Sequence, residues 1–465
     1  MTENPKQYLS RRRKEILEEF FDYLRIPSVS TQPERRTDAR RCAEWLAAHC
    51  RKIGLETELC ETDGNPIVLA HTPKAAGESR KRRPRFLVYG HYDVQPAEPI
   101  ELWKTDPFEP AIRRGAVWAR GASDNKGQHF AHLKGVEAHL KTGTPLPCDI
   151  AFVIEGEEEI GSENLVKFLR RNRRRLRCDA VVVSDTGMPA KGLPALTYAL
   201  RGVAALELFV SGPSRDLHSG IFGGSVENPA MALCRLLAKA RAEDGRIAIP
   251  GFYDDVRDLS PAERRQMRRL PFDAEAYKRL TGAPALFGEP GFTAWERRTA
   301  RPTFEINGLT SGYQGPGTKT IIPASASAKV TMRLVPDQEP KKILALASRF
   351  LRKEAPKSVR LRLAVGHGAA PYYVDPDSPF CQAALRALKQ AFRAEPVLLR
   401  EGGSIPVVNE FHKQLRAPVL LLGLALPDDN AHAPNEKFDL TNLRAGMELG
   451  AALWPELSRA ARPAG

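Results

Sequence analysis

Three short runs in this chain are apolar at every position: residues 86–89 (Phe-Leu-Val-Tyr), 150–154 (Ile-Ala-Phe-Val-Ile) and 180–183 (Ala-Val-Val-Val). A strand with one wet face alternates apolar and polar residues. A run without alternation is buried on both faces, as happens in a mostly parallel sheet covered by helices. Helical periodicity in residues 40–53 and 127–140 supplies such cover. The expected fold class is therefore α/β, with polar residues gathered where strands end and helices begin. Open α/β sheets keep their ligands there.

At 465 residues the chain exceeds what one hydrophobic core organises, so two domains are expected. The texture changes near Arg201. Residues 204–210, 326–334 and 359–365 alternate like strands with one wet face, and residues 228–240 and 340–353 read as helices. Together they suggest an inserted α+β sandwich, with residues 245–318 as a charged, Pro- and Gly-containing elaboration inside it. From Ser378 the first texture returns, with a helix to about Phe392 and an apolar run over 418–426. The domains expected are 1–200 and 378–465 for the first body and 201–377 for the insert.

Composition narrows the function class. The formal charge of +14 draws attention to Arg80-Lys81-Arg82-Arg83 and to residues 170–175. Neither cluster is interleaved with aromatics, and no nucleic-acid module pattern accompanies them, so both read as solvated basic faces. The seven cysteines include no C-x-x-C pair and are odd in number, which suits reduced thiols in a cytoplasmic chain. Residues 1–24 mix basic and acidic side chains without an apolar h-region, so they read as a surface helix and not a signal peptide. No apolar stretch approaches the length of a membrane span.

The chemistry sits at the strand ends. His91 and Asp93, two residues apart, leave a strand on the same side, so the carboxylate can orient the imidazole as a metal ligand. Asp124, Glu159, Asp185 and His432 each follow or close a short apolar run. Nitrogen and oxygen donors without thiolate suit a catalytic zinc, manganese or cobalt site better than a structural zinc. A shared carboxylate with one His and one acid per ion would use His91, Asp124, Glu159, Asp185 and His432 to hold two divalent cations. Asp124, followed by Asn125, also suits a simple turn. Glu155, Glu157, Glu158 and Glu159 crowd the end of an apolar strand, where their mutual repulsion calls for nearby cations. Glu158, not needed as a ligand, is placed to act as a general base.

These segments resemble the M20 family of metallopeptidases, in its dipeptidase branch that includes carnosine dipeptidases. The matching motifs are Gly90 to Pro96, Gly121 to Gly127, Glu155 to Ser162, Ser184-Asp185, Asp216 to Gly220 and Arg400 to Pro406. The resemblance implies a two-metal catalytic domain with an inserted lid that dimerises. It implies that His91 and Asp185 bind one metal, Glu159 and His432 the other, with Asp124 bridging and Zn2+ as the ion. Asp93 would orient His91 and Glu158 would be the base. The Asp124–Asn125 bond would be cis. His218 would stabilise the oxyanion, and Arg333, Gly403 and Ser404 would grip a substrate carboxylate. Glu157 departs from the apolar residue common at that position, and Ile160-Gly161-Ser162 sets the register of the motif.

The implied activity is hydrolysis of dipeptides, or similar short substrates with a free C-terminal carboxylate, by a homodimer that binds neither nucleic acid nor membrane. The alternative is an N-acyl amino acid deacylase using the same metals. A silent scaffold protein is disfavoured, because every ligand and the base are present.

Overall fold

In the computed structural model, which describes residues 3–73 and 83–461, the three all-apolar runs become neighbouring parallel strands. Arg85–His91 lies between Asp149–Glu155 and Ala180–Val183, and Val419–Leu421 continues the parallel set. Antiparallel strands flank them: Ile67–His71 and Glu56–Cys60 on one side, Ala195–Leu200 on the other. The sheet is thus mixed, and parallel at its centre. The apolar run over 418–426 contributes only three strand residues before it turns toward His432.

Parallel neighbours need crossovers, and Lys126–Thr142 and Glu163–Asn172 provide them. Lys126–Thr142 is buried from Lys126 to His139, polar residues included, so it has no single apolar stripe. It packs on Leu440–Ala460 at a distance only glycine allows. A Cβ on Gly135 would lie 2.2 Å from the Gly450 carbonyl carbon. The amino-terminal segment forms two helices, Pro5–Arg11 and Arg13–Leu24, because the backbone at Arg12 (φ −87°, ψ 12°) interrupts a single one. Six cysteines are buried, and Cys234 is exposed. The basic run at 80–83 lies outside the described residues except for Arg83, while the run at 170–175 closes the Glu163–Asn172 helix.

The crossover helix also buries a charge. Lys134 Nζ donates to Glu19 (2.5 Å), to Glu137 (2.7 Å) and to His49 Nε2 (2.9 Å). Glu19, His49 and Glu137 have the makings of a cation site, and the lysine ammonium is the cation that fills it. Burial, then the Lys134 charge, pushes His49 down to about 3. Burial opposes ionisation of Glu19, but Lys134 outweighs it and holds Glu19 at about 2. Both groups take up protons more readily when unfolded, His49 below its ordinary 6.5 and Glu19 below its ordinary 4.5. Stability is therefore lost as pH falls. Between pH 6.5 and 4.5, His49 alone adds a slope of about 1.4 kcal/mol per pH unit. In His49→Gln the amide oxygen still accepts from Lys134 but does not titrate. Urea unfolding of both proteins across that range should show the shallower slope in the variant; coincident slopes would refute the assignment.

Contacts divide the chain into two compact units: Met1–Tyr198 with Val374–Leu399 and Val407–Gly465, and Ala199–Tyr373 with Arg400–Pro406. Residues 400–406, expected with the carboxy-terminal part of the first body, cluster instead with the insert. The second unit has a four-stranded antiparallel sheet in the order Thr303–Ser311, Ser325–Leu334, Gly202–Ser211, Arg360–Ala369. Alternate residues Ala204, Leu206, Leu208 and Val210 and their neighbours Ala326 to Leu334 face a core shared with Pro229–Lys239 and Pro340–Glu354. The elaboration over 245–318 contains three short helices and the edge strand Thr303–Ser311. That strand is mostly exposed on both faces, which is why its sequence carries no alternation.

Candidate metal centre

His91 ends the Arg85–His91 strand, and its backbone can lie tight against the crossover helix because Gly90 precedes it. A Cβ there would meet His129 Cβ at 2.6 Å. The imidazole is fully buried. Its Nδ1 faces the Asp93 carbonyl at 3.1 Å and the Asp93 carboxylate at 3.4 Å. Its Nε2 lies 3.2 Å from Asp124 Oδ1 and 3.6 Å from Asp185 Oδ1. On the other side of Asp124, His432 Nε2 lies 2.9 Å from Oδ2 and 3.4 Å from Glu159 Oε2. The structure therefore brings five residues named from the sequence into two triplets, His91–Asp124–Asp185 and Asp124–Glu159–His432, joined at Asp124.

Each donor comes from a segment held from behind. Asp185 follows the Ala180–Val183 strand, and Asn125 donates to its carboxylate (2.8 Å) and to the Ser184 carbonyl (2.6 Å). The Asp124–Asn125 peptide is cis. Asp93 does more than face His91: its carboxylate accepts from the backbone N–H groups of Glu158 (3.2 Å) and Glu159 (3.1 Å) and from Ser30 (2.7 Å). It thereby fixes the acidic turn Glu158–Ile160 against the His91 strand end. Gln95 donates to Glu159 at 2.7 Å. Glu157 turns away, accepting from the Asn65 backbone and the Asn164 amide, so the run of three glutamates has separate tasks. His432 sits in a left-handed conformation (φ 62°) between Asn430 (φ 57°) and Asn435 (φ 63°), a region that Asn and His enter more readily than other side chains but that still costs free energy outside glycine.

The electrostatics match an acid-rich pocket. Burial pushes Glu158 up to about 8, partly offset by His91 and reinforced by Asp185, Glu159 and Asp124. Burial also raises Glu159, to about 7, with Asp124 adding to it. Bonding to Asp124 lifts His432 to about 9. Burial works against a charged His91, but Asp124, Asp185 and Asp93 together raise it well above its ordinary value. For Asp124, burial is overcome by His432 and His91, and the carboxyl falls well below its usual range. Among the described residues, buried His91 Nε2 and Glu159 Oε1 have no hydrogen-bond partner. Orphaned donor atoms of nitrogen and oxygen, converging from both sides on one carboxylate, fit a pair of divalent cations.

The remaining expected residues lie in the second unit. His218 is exposed at the start of the Ser219–Phe222 helix, and its Nδ1 accepts from Gly220 N–H at 3.0 Å. The neutral ring then carries its proton on Nε2, leaving that atom as a donor. Arg333 donates to Ser404 Oγ at 3.1 Å, and Ser404 donates to the Arg201 carbonyl at 2.5 Å. Gly403 faces open space. Arg201, not anticipated, joins this set by donating to the Gly402 carbonyl at 2.9 Å. Burial, then the charges of Arg333 and Arg298, lowers it to about 10, so the set is short of negative charge. Gln95 and Asn125 lie within the matching motifs but were given no part in holding donors, and Ser30 was not anticipated, because ordinary polar residues carry no periodic or spacing signal.

Comparison with known proteins gives this geometry its context. The chain is 31% identical to the Cys-Gly metallodipeptidase dug1 of Schizosaccharomyces pombe over 95% of both chains. It is 29% identical to the Beta-Ala-His dipeptidase of Mus musculus over 97% of this chain and 94% of that one. The M20 family metallo-carboxypeptidase Sso-CP2 from Sulfolobus solfataricus superposes with a TM-score of 0.80 at 30% identity, covering 96% of this chain and 99% of that one. The profile of Peptidase family M20/M25/M40 matches residues 87–456, which include both donor triplets, and this chain belongs to that family.

Proposed function

We propose that the protein is a metal-dependent dipeptidase that cleaves the amide bond of short substrates with a free C-terminal carboxylate. The observation that carries this is Asp124, shared between two triplets whose donors run from buried His91 to exposed His432, with Glu158 beside them. His91 and Asp185 would hold one cation, Glu159 and His432 the other, and Asp124 would serve both, with zinc as the expected ion. Bound there, such a pair supplies Lewis acidity toward the scissile carbonyl and lowers the pKa of water. Glu158 accepts the proton of the attacking water on its carboxylate and returns it to the leaving amine. Asp93 holds His91 and the Glu158–Glu159 turn in register. On the second unit, His218 Nε2–H is the donor for the developing oxyanion, and Arg333 with Ser404 and the open backbone at Gly403 receives the substrate carboxylate. The active species in this reading is a homodimer.

The support from relatives is specific: those named above are a Cys-Gly metallodipeptidase and a Beta-Ala-His dipeptidase, and none of these names favours the deacylase. The Sulfolobus protein is named a metallo-carboxypeptidase, so a test must include longer peptides. Purified protein loaded with zinc or manganese is offered dipeptides, tripeptides, N-blocked peptides and N-acetyl or N-succinyl amino acids, with a chelated control. Chelator-sensitive cleavage of free dipeptides is expected. Cleavage of acyl amino acids alone would overturn the proposal in favour of a deacylase, and preference for N-blocked or longer peptides in favour of a carboxypeptidase.

A further inference from the structure

Glu436 lies four residues beyond His432 and is fully buried. Its Oε2 accepts from Arg120 Nη1 (2.8 Å) and from the Gly121 backbone N–H (2.9 Å). Its Oε1 accepts from the backbone N–H groups of Ser123 (2.8 Å) and Asp124 (2.9 Å). One carboxylate thus satisfies the backbone donors of the segment that presents Asp124. Arg120, equally buried, extends the connection by donating to the carbonyls of Pro96 (3.1 Å) and Ala433 (3.3 Å). Asp429 makes a second tie from the other side of His432, accepting from Ser123 Oγ at 3.2 Å.

Three chain segments meet at this buried pair: the one after His91 and Asp93, the one carrying Asp124, and the one carrying His432. The last has three non-glycine residues at positive φ, a shape that persists only when its surroundings impose it. None of the four groups donating to Glu436 belongs to a donor atom of either triplet, so its effect on the centre is indirect.

We propose that Glu436, through Arg120, is a positioning residue that sets the spacing between His91, Asp124 and His432 for cation binding. The proposal rests on the two-metal reading above. Outer partners of ligand segments typically account for about 10- to 100-fold in metal affinity, and Glu436→Gln should lose that much. The amide keeps the shape but turns one acceptor into a donor facing either Arg120 and Gly121 or Ser123 and Asp124.

The measurement is zinc affinity by competition with a chromophoric chelator, well below the unfolding midpoint of each metal-free protein. Turnover on a dipeptide at saturating zinc is followed alongside. The weaker affinity, with KM unchanged and turnover recovering at high zinc, is the expected result. A lowered unfolding midpoint with unchanged zinc affinity would overturn the positioning role and leave Glu436 as scaffolding only. A wild-type protein that binds no zinc would overturn the two-metal reading and this proposal together. If Glu436→Gln does not fold, Arg120→Lys, which keeps the charge but not the reach to Pro96 and Ala433, should weaken zinc binding in the same direction; unchanged affinity there would equally refute the proposal.

Discussion

Glu158→Gln is expected to retain both divalent cations and lose about 100- to 10,000-fold in turnover, the range that a positioned general base contributes. The substitution is nearly isosteric, and Glu158 belongs to neither donor triplet. Its backbone N–H is held by Asp93 at 3.2 Å, so the amide should occupy the carboxylate's place. What disappears is the ability to accept a proton. Metal content of the purified variant, read together with kcat and KM on a dipeptide, checks both halves. Full activity would show that another group serves as base, and loss of metal would make Glu158 a ligand.

Asp124→Ala should have a larger effect on metal. Asp124 faces His91 Nε2 at 3.2 Å and His432 Nε2 at 2.9 Å, and it is the residue common to both triplets. Without it each site keeps only one imidazole and one acid, fewer protein donors than a catalytic divalent site normally has. Stoichiometry should fall from two ions toward none, and turnover with it. Asp185→Ala provides the contrast, since it belongs only to the His91 triplet and should spare the ion at Glu159 and His432. Equal metal loss in the two variants would argue against two sites sharing one carboxylate.

The length difference between Thr303–Ser311 and the runs at 86–89, 150–154 and 180–183 is not what separated legible from illegible elements. Burial explains most of the difference: the runs at 86–89, 150–154 and 180–183 are buried on both faces and apolar throughout, and the strands over 204–210 and 326–334 alternate. Ile67–His71 and Ala195–Leu200 are as buried but went unread, the second being interrupted by the polar Thr197. Thr303–Ser311 is an exposed edge held by its ladder to Ser325–Leu334, and backbone hydrogen bonds leave no mark on residue type. Glu56–Cys60 went unread for a similar reason, being half-exposed beside Ile67–His71.

The candidate centre divides in the same way. Residue chemistry determined from the sequence alone which side chains could serve: His91, Asp124, Glu159, Asp185 and His432 are donors by type, and their places beside apolar runs put them at strand ends or in the loops that follow strands. Only the tertiary structure decided how they are held. Asp93 reaches the Glu158–Glu159 backbone, Asn125 reaches Asp185, and Glu436 closes on the Asp124 segment across more than three hundred residues of chain. These contacts satisfy backbone donors and carboxylate lone pairs that burial has removed from water. A buried polar group must find its partner wherever the fold places one, and sequence distance does not enter that requirement.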